Sequence, residues 1–381
     1  MIDIPEHILN LEPYRPGKNL SEVIREKNLK KIVKLASNEN PLGPSPKAIK
    51  TIGEYLGDLH RYPDPKAHEL TYLLAKMHHR KRENIICAHG SDSLIAYCLN
   101  AFCSGENEIL TSEGSFIGIY VNAKKLQRNL KLVGLKNYSF DLNAILKNVT
   151  RKTKIIYLAN PNNPTGTCFL KEEFDQFLRK IPKNILIILD EAYELYTRDN
   201  KEIPNGMDYE LDNLLVLRTL SKSHGLAGLR LGYAIGPQYL IDQLYKVKLP
   251  FEPHVLAQVA GRAALLDFSF LEQTNDLNTQ SLLQMKKRFN QLGINFIGGA
   301  ANFLMMVFPS EKYARILCEE CLKEGLILRN LKPFGFPFGV RINSGTLEET
   351  EFALKIIGKV IRKMVSSFKV PKSQKYLTQK P

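Results

Sequence analysis

Leu214-Leu215-Val216-Leu217-Arg218-Thr219-Leu220-Ser221-Lys222-Ser223-His224-Gly225-Leu226-Ala227-Gly228-Leu229-Arg230 decides how this chain is read. Leu214–Leu217 has the texture of a short buried strand, and small and polar residues follow it at once. A lysine flanked by hydroxyls, then by small residues, then by a buried-looking arginine, suits an aldehyde cofactor that also carries a phosphate. The Lys222 amine can form a Schiff base. Ser221 and Arg230 can hold the phosphate through charge-assisted hydrogen bonds. A lone loop lysine is ordinarily a solvated charge, so the rest of the chain has to support this reading.

Other strand ends do. Ile155-Ile156-Tyr157-Leu158-Ala159 reads as a buried strand and runs into Asn160-Pro161-Asn162-Asn163-Pro164-Thr165-Gly166. Ile185–Leu189 is another and ends on Asp190-Glu191-Ala192-Tyr193. Each polar cluster sits just past the carboxyl end of a strand, where open α/β sheets bind ligands. Ile85–Ala88 is a further strand candidate, followed by Gly90-Ser91-Asp92 at the head of a helix rich in Leu, Ile and Ala. A glycine turn entering a helix presents free N–H groups to a phosphate, although the same residues also serve ordinary capping. Phe116, in Ser115-Phe116-Ile117-Gly118, is placed to stack on a cofactor ring or to fill core.

This alternation predicts an α/β architecture: a large domain with a mostly parallel sheet covered by helices, plus a smaller α+β domain. The texture changes near residue 270. A helix is expected over Ser269–Leu292, a strand over Ala301–Phe308 and a helix over Glu311–Glu324. Strands near Ile327–Arg329 and Val340–Asn343 and a last helix over Leu347–Met364 complete it. The expected division is 1–45 as an N-terminal arm and part of the small domain, 46–270 as the large cofactor-binding domain, and 271–365 as the small domain. Residues 366–381 read as a basic, disordered tail.

The 381 residues are 44% hydrophobic and 24% charged, an ordinary globular composition. No apolar run approaches a membrane span, and Met1–Glu6 lacks the basic start of a signal peptide. Cys87, Cys98, Cys103, Cys168, Cys318 and Cys321 are dispersed and read as free thiols, so a cytoplasmic location is expected. Cys318 and Cys321 have CxxC spacing but nothing completes a metal site, and two positions on one helix face explain them. The net charge of +14 raises nucleic-acid binding. Lys369, Lys372, Lys375 and Lys380 of the tail supply four of those charges, and the rest are scattered without a recognised motif. Neither a nucleic-acid nor a membrane partner is expected.

Thr219–Arg230 resembles the pyridoxal-phosphate lysine loop of fold-type I aminotransferases. With Asn163-Pro164-Thr165-Gly166, Asp190, Tyr193, Ser221-Lys222, Arg230 and Arg341, the order is that of the class I and II aminotransferases. Along nearly the full chain the sequence resembles the histidinol-phosphate aminotransferases. The specific pieces are Leu11-Glu12-Pro13-Tyr14-Arg15-Pro16-Gly17-Lys18, Leu35–Ser45 and Arg61-Tyr62-Pro63-Asp64.

The resemblance implies pyridoxal 5′-phosphate as cofactor, with Lys222 as its covalent lysine and as the base that moves the substrate Cα proton. Asp190 would partner the pyridine nitrogen. At ~3 Å and an effective dielectric of ~20 a carboxylate favours the protonated ring by about 5 kcal/mol. An isolated aspartate there would otherwise be a helix N-cap. Tyr193 and Asn163 would reach the ring phenolate oxygen, and Ser91 and Asp92 would lie at the cofactor's phosphate and ring. Arg341 matches the arginine that grips a carboxylate, Arg329 and Tyr14 lie near the substrate side chain, and Asn38 belongs to a turn lining the cleft. Tyr62 matches a tyrosine that reaches the neighbouring subunit's cofactor phosphate, which implies a homodimer. The implied reaction takes histidinol phosphate and 2-oxoglutarate to imidazole acetol phosphate and glutamate.

The chain departs from the family at Ser93, His224, Asn343-Ser344 and Phe251, which stands where many relatives have tyrosine. These leave open an aromatic amino-acid aminotransferase or a phospho-amino-acid decarboxylase of the same fold. His224 reads as packing beneath the lysine loop.

Overall fold

The computed structural model describes residues 2–11 and 31–367. In chain order the strands are β1 (Val33–Lys34), β2 (Ile85–Ala88), β3 (Glu108–Ser112), β4 (Asn129–Val133), β5 (Thr153–Ala159), β6 (Leu186–Asp190) and β7 (Leu214–Thr219). They continue as β8 (Gly232–Ile235), β9 (Asn295–Gly298), β10 (Phe303–Val307), β11 (Leu326–Ile327), β12 (Arg329–Asn330) and β13 (Gly339–Asn343).

Seven strands form the central sheet in the order β2-β8-β7-β6-β5-β3-β4. Six run parallel to one another, and β8 alone is reversed between β2 and β7. Strand alternation explains why both faces are covered. On β2, Ile86 and Ala88 join the core under the Gly90–Phe102 and Gln238–Val247 helices. Ile85 and Cys87 point the other way, into the core under His68–Met77 and Val255–Leu265. The reversal of β8 has a consequence for function. Its amino end, preceded by Arg230, reaches the same sheet edge as the carboxyl ends of β2, β3, β5, β6 and β7.

A second, antiparallel sheet has the order β12-β13-β10-β9. Val340 and Ile342 of β13 and Leu304 and Met306 of β10 pack with Met285 and Phe289 of the long Phe268–Leu292 helix. The alternate positions, Arg341, Asn343, Phe303 and Met305, occupy the opposite face of that sheet. β1 pairs in parallel with β11, so the segment leading to Asn38 runs back along this second layer. Asn343 N–H donates to the Leu35 carbonyl and Asn38 N–H to Asn343 Oδ1 at 3.0 Å.

The strands expected from the sequence are found within one to two residues of their ranges. The region 326–330 is the exception, where one expected strand is two short ones. The last helix runs from Leu347 to Ser367, two residues into the stretch read as tail. The remainder of that tail lies outside the described residues. Cys318 and Cys321 share one face of the Glu311–Lys323 helix, and all six cysteines are free thiols. Among the described residues no helix is long and apolar enough to cross a membrane.

One close approach fixes how β8 meets the turn after β2. A Cβ at Gly232 would lie 2.5 Å from the Gly90 carbonyl carbon and the Ser91 nitrogen, both rigid backbone. Gly232→Ala is therefore expected to lower stability by roughly 1–3 kcal/mol through overpacking. A urea-unfolding midpoint equal to wild type would show that the contact is not tight.

Candidate active site

A cavity of about 480 Å³ opens where the carboxyl edge of the central sheet faces the second sheet. One end is built for an anion. Gly90 adopts φ +83° at the head of the Gly90–Phe102 helix, a conformation that favours glycine. The first N–H groups of a helix lack internal partners. A Cβ at Gly90 would lie 3.2 Å from Arg230 Nη2, so the guanidinium sits directly over this turn. Ser221 and Thr219 line the same cavity, and the Thr219 hydroxyl donates to Ser221 Oγ at 3.0 Å. Arg230, read from the sequence as buried, is exposed. It projects from the amino end of β8 over Gly90 and does not enter the core.

A buried carboxylate, Asp190, also lines the cavity. Its Oδ2 accepts the Tyr157 hydroxyl at 2.6 Å and its Oδ1 accepts the Ala192 N–H at 3.1 Å. Burial raises its pKa to about 6, against the pull of those two hydrogen bonds. The bond to Ala192 closes a turn two residues on and is not a helix N-cap, since the short helical turn Glu194–Tyr196 that follows has no side-chain cap. Asp92 accepts from Asn122 Nδ2 at 3.1 Å.

Lys222 is half-buried in the cavity wall, and its Nζ donates to the Ser37 carbonyl at 3.4 Å. Burial lowers its pKa to about 8, and the Arg341, Arg230 and Lys34 charges push the same way, opposed by Glu39. Gly225 (φ +70°) lets the loop press on the N-terminal segment, since a Cβ there would lie 2.0 Å from the Gly43 carbonyl oxygen. His224 is buried and does not line the cavity. Burial lowers its pKa to about 4, so it is neutral near pH 7.

The second sheet supplies the far wall. Arg329 and Arg341 are direct cross-strand neighbours of β12 and β13, both buried. Their guanidiniums lie 5.4 and 5.7 Å from the Phe334 ring centroid. Arg341 donates to the Ala36 carbonyl at 3.0 Å and to Asn163 Oδ1 at 2.5 Å. Tyr193 is buried, packs edge-on against Phe303 and accepts from Asn38 Nδ2 at 2.8 Å. Burial raises its phenol pKa, and Arg341 draws it back down.

Lys222, Ser91, Asp92, Phe116, Asn163, Asp190, Tyr193, Ser221, Arg230, Arg341, Arg329 and Asn38 thus line one cavity. Tyr62 does not. It is 81% exposed and stacks on Phe251 at 4.3 Å, so neither residue lines this cavity. Tyr14 lies outside the described residues. Sequence reasoning passed over Tyr157, Lys34 and Phe334, and it placed Glu39 only within the polar turn 38–43 read as lining a cleft. A tyrosine inside an apolar strand was the readable signal for the first, because a buried hydroxyl must find an acceptor. Lys34 and Glu39 form an ion pair at 2.9 Å in the cavity wall, a pairing across a loop that spacing does not announce. Among the described residues no cluster of three or more His, Cys, Asp or Glu side chains can hold a metal ion.

The depressed Lys222 pKa gives a direct check on the cofactor-free protein. An amine that loses its proton near pH 8 reacts with an electrophile at a rate that rises through pH 8. Surface lysines titrate near 10.4. Trinitrophenylation followed by peptide mapping should therefore show Lys222 labelled first at pH 8. Labelling no faster than that of exposed lysines would contradict the burial argument.

The family model of the class I and II aminotransferases matches residues 30–357. Histidinol-phosphate aminotransferase 2 of Hydrogenovibrio crunogenus is 38% identical over 362 residues, covering 94% of this chain and 96% of that protein. The histidinol-phosphate aminotransferase of Desulfotalea psychrophila is 37% identical over 368 residues, covering 95% of this chain and 96% of that one. Among solved structures, the histidinol-phosphate aminotransferase of Sinorhizobium meliloti, in complex with pyridoxal-5′-phosphate, shares the fold with a TM-score of 0.86 at 24% identity. That match covers 95% of this chain and 98% of the other. Aspartate aminotransferase from Thermus thermophilus with maleate superposes with a TM-score of 0.82 at 19% identity, over 94% of this chain and all of the other. A cavity that joins a helix-head anion site, a buried carboxylate and a lysine whose pKa is lowered to about 8 in that fold, with relatives this similar over nearly the whole length, shows that the chain belongs to the class I and II aminotransferases, among the histidinol-phosphate aminotransferases.

Proposed function

We propose that this chain transfers an amino group from histidinol phosphate to 2-oxoglutarate, using pyridoxal 5′-phosphate held in the cavity. The observation that carries the proposal is the position of Lys222. An amine with a pKa of about 8 lines one cavity with the Gly90–Arg230 anion site and the buried Asp190 carboxylate. The donor set fits the cofactor. The turn after β2, Ser221 and Arg230 would hold its phosphate, and Asp190 would accept from its ring nitrogen. When bound, the cofactor supplies an aldehyde that captures the donor's amino group and a ring that takes up the Cα–H electron pair.

The side chains do the rest. Arg341 donates to Asn163 Oδ1, which leaves the Asn163 NH₂ group to donate to the ring hydroxyl oxygen. Asn38 donates to the Tyr193 hydroxyl oxygen, which leaves that hydroxyl's own proton for the same ring oxygen. Lys222 Nζ is partly neutral near pH 8 and takes the proton from the substrate Cα. Arg341 and Arg329 bind the substrate anion. A guanidinium stays charged in such surroundings and makes a bidentate contact, which a lysine does not. Phe251, the residue that suggested an aromatic substrate, stacks on Tyr62 away from this chain's cavity.

We further propose a homodimer in which Tyr62 serves the neighbouring cavity. The ring is exposed, and Tyr55, Leu56 and Leu59 on the same stretch and Leu249 beside Phe251 are exposed as well. Exposed apolar side chains gathered on these two stretches, joined by the Tyr62–Phe251 stack, suit a partner. Sedimentation should give about twice the chain mass of 43.3 kDa. A monomer that retains full activity would exclude this reading.

The function is tested by loading the purified protein with pyridoxal phosphate and titrating it with histidinol phosphate, phenylalanine and glutamate while recording the visible band. Histidinol phosphate should bleach the band at the lowest concentration, glutamate should do so at higher concentration, and Lys222→Ala should lack the band. Bleaching by phenylalanine alone would keep the mechanism and overturn the substrate. Arg329→Met should raise KM for histidinol phosphate by about ten- to a hundredfold, the worth of a charged hydrogen bond, with a smaller effect on kcat. An unchanged KM would remove Arg329 from the anion site.

A further inference from the structure

Tyr157 is fully buried in the middle of β5, and the reaction as set out above makes no use of it. β5 pairs with β6 so that Ala159 lies beside Asp190 and Tyr157 beside Ile188. The small Ala159 leaves room, and the Tyr157 side chain reaches across to the carboxylate two residues on. Its hydroxyl meets Asp190 Oδ2 at 2.6 Å, within the range of a charge-assisted O–H···O⁻ bond. The Ala192 N–H holds the other oxygen at 3.1 Å. Two donors on two different oxygens fix the plane of the carboxylate. A phenylalanine would fill this core position with no polar cost, whereas a buried hydroxyl without an acceptor is expensive.

We propose that Tyr157 is a positioning residue, whose hydroxyl orients the Asp190 carboxylate toward the ring nitrogen of the bound cofactor. The inference rests on the aminotransferase reading above. Four titratable groups act on Asp190: Tyr157 from β5, Glu191 and Tyr193 just along the chain, and Asp92 from the helix after β2. The two acids and burial push its pKa up, and the Tyr157 and Ala192 hydrogen bonds push it down. Without the hydroxyl the carboxyl group keeps its proton to higher pH, and a larger fraction cannot accept from the ring nitrogen.

The test is Tyr157→Phe in the full chain, read by three quantities. These are the pyridoxal phosphate dissociation constant, the pH midpoint of the visible band, and the separate changes in kcat and KM. The cofactor should bind about tenfold more weakly, as for one lost charged hydrogen bond. The band midpoint should move, kcat should fall by more than tenfold, and KM for histidinol phosphate should stay within about twofold. In an Asp190→Asn background, adding Tyr157→Phe should change each quantity by less than about twofold, because the partner of the hydroxyl is already altered. Losses that multiply fully in that background would overturn the proposal. So would a Tyr157→Phe protein with the wild-type cofactor constant and band midpoint.

Thr111→Val controls for folding. It removes the bond from the Thr111 hydroxyl to the Tyr157 carbonyl, 2.8 Å, and keeps the phenol. If that variant reproduces the same losses, the effect is one of stability and the proposal fails. A wild-type protein that does not bind pyridoxal phosphate would overturn both readings. One that binds it, beside an unchanged Tyr157→Phe, overturns this inference alone.

Discussion

Crowding of positive charge governs the cavity. Lys222, Arg230, Arg329, Arg341 and Lys34 all line it, against three carboxylates, Asp92, Asp190 and Glu39. Burial is the larger influence on Lys222, but Arg341, Arg230 and Lys34 each make its protonated form less favourable. The same charges therefore perform two tasks in the proposed reaction. They attract phosphate and carboxylate groups, and they add to burial in lowering the Lys222 pKa to about 8, well below that of an ordinary amine. Two of the three neighbours, Arg341 and Arg230, are arginines, which suits the task. A lysine in their place would share the proton loss with Lys222, whereas a guanidinium keeps its charge at any pH the protein meets. Glu39 tempers the field and is itself held by Lys34.

The loop carrying Asp190 and Tyr193 needs its own anchorage, because it bears buried polar groups beyond the end of a strand. Arg218 of β7 provides it. The guanidinium, buried, donates from Nε and Nη2 to Glu191 Oε2 at 3.0 and 2.7 Å, and from Nη2 to Asn205 Oδ1 at 2.7 Å. Glu191 Oε1 accepts the Gly206 N–H, and Glu194 stands 3.5 Å from Arg218 Nη1. A buried pair of this kind contributes little net stability, yet breaking it from one side costs about 3–5 kcal/mol. Its effect is on position. Register between β6 and β7 is already fixed by apolar side chains, and the ion pair extends that fixed geometry past the last ladder hydrogen bond to Tyr193.

Much of this was legible in the sequence for a physical reason. Strand ends in an α/β sheet are marked by an apolar run that stops at a polar cluster, as at Ala159-Asn160, Leu189-Asp190 and Thr219–Lys222. The clusters converge because the strands are parallel. What could not be read depends on pairing between distant segments. The reversal of β8 brings Arg230 to the shared edge, and a stretch of four residues, Gly232–Ile235, carries no sign of its direction. Lys34 and Glu39 meet through a loop closed by β1 and β11, each two residues long. Arg218 and Glu191 each stand in a stretch with a landmark residue, and nothing in their spacing pairs them. Only the register of β6 against β7 sets them together. Tyr62 was placed at a subunit contact by resemblance, and its ring is exposed, stacked on Phe251.

The arginine pair on the second sheet shows how one wall can serve two chemically different substrates. Arg329 and Arg341 share a face at direct cross-strand spacing, about 4.5–5.5 Å between Cβ atoms. Two guanidiniums so close repel, and the Phe334 ring is near both of them. Its negative face offsets part of that repulsion without supplying a carboxylate that would compete with a ligand. An anion that enters offsets the remaining repulsion most fully when its charge lies within reach of both guanidiniums. A phosphate monoester does so with one group, and glutamate can do so with a carboxylate at each end of a short chain. In the proposed reaction the pair would therefore recognise charge and not molecular shape, which suits a donor and an acceptor that share neither size nor ring. An aromatic amino acid, with a single carboxylate, would neutralise less of this paired charge, and that smaller electrostatic gain would be the basis on which the proposed anion wall discriminates against it.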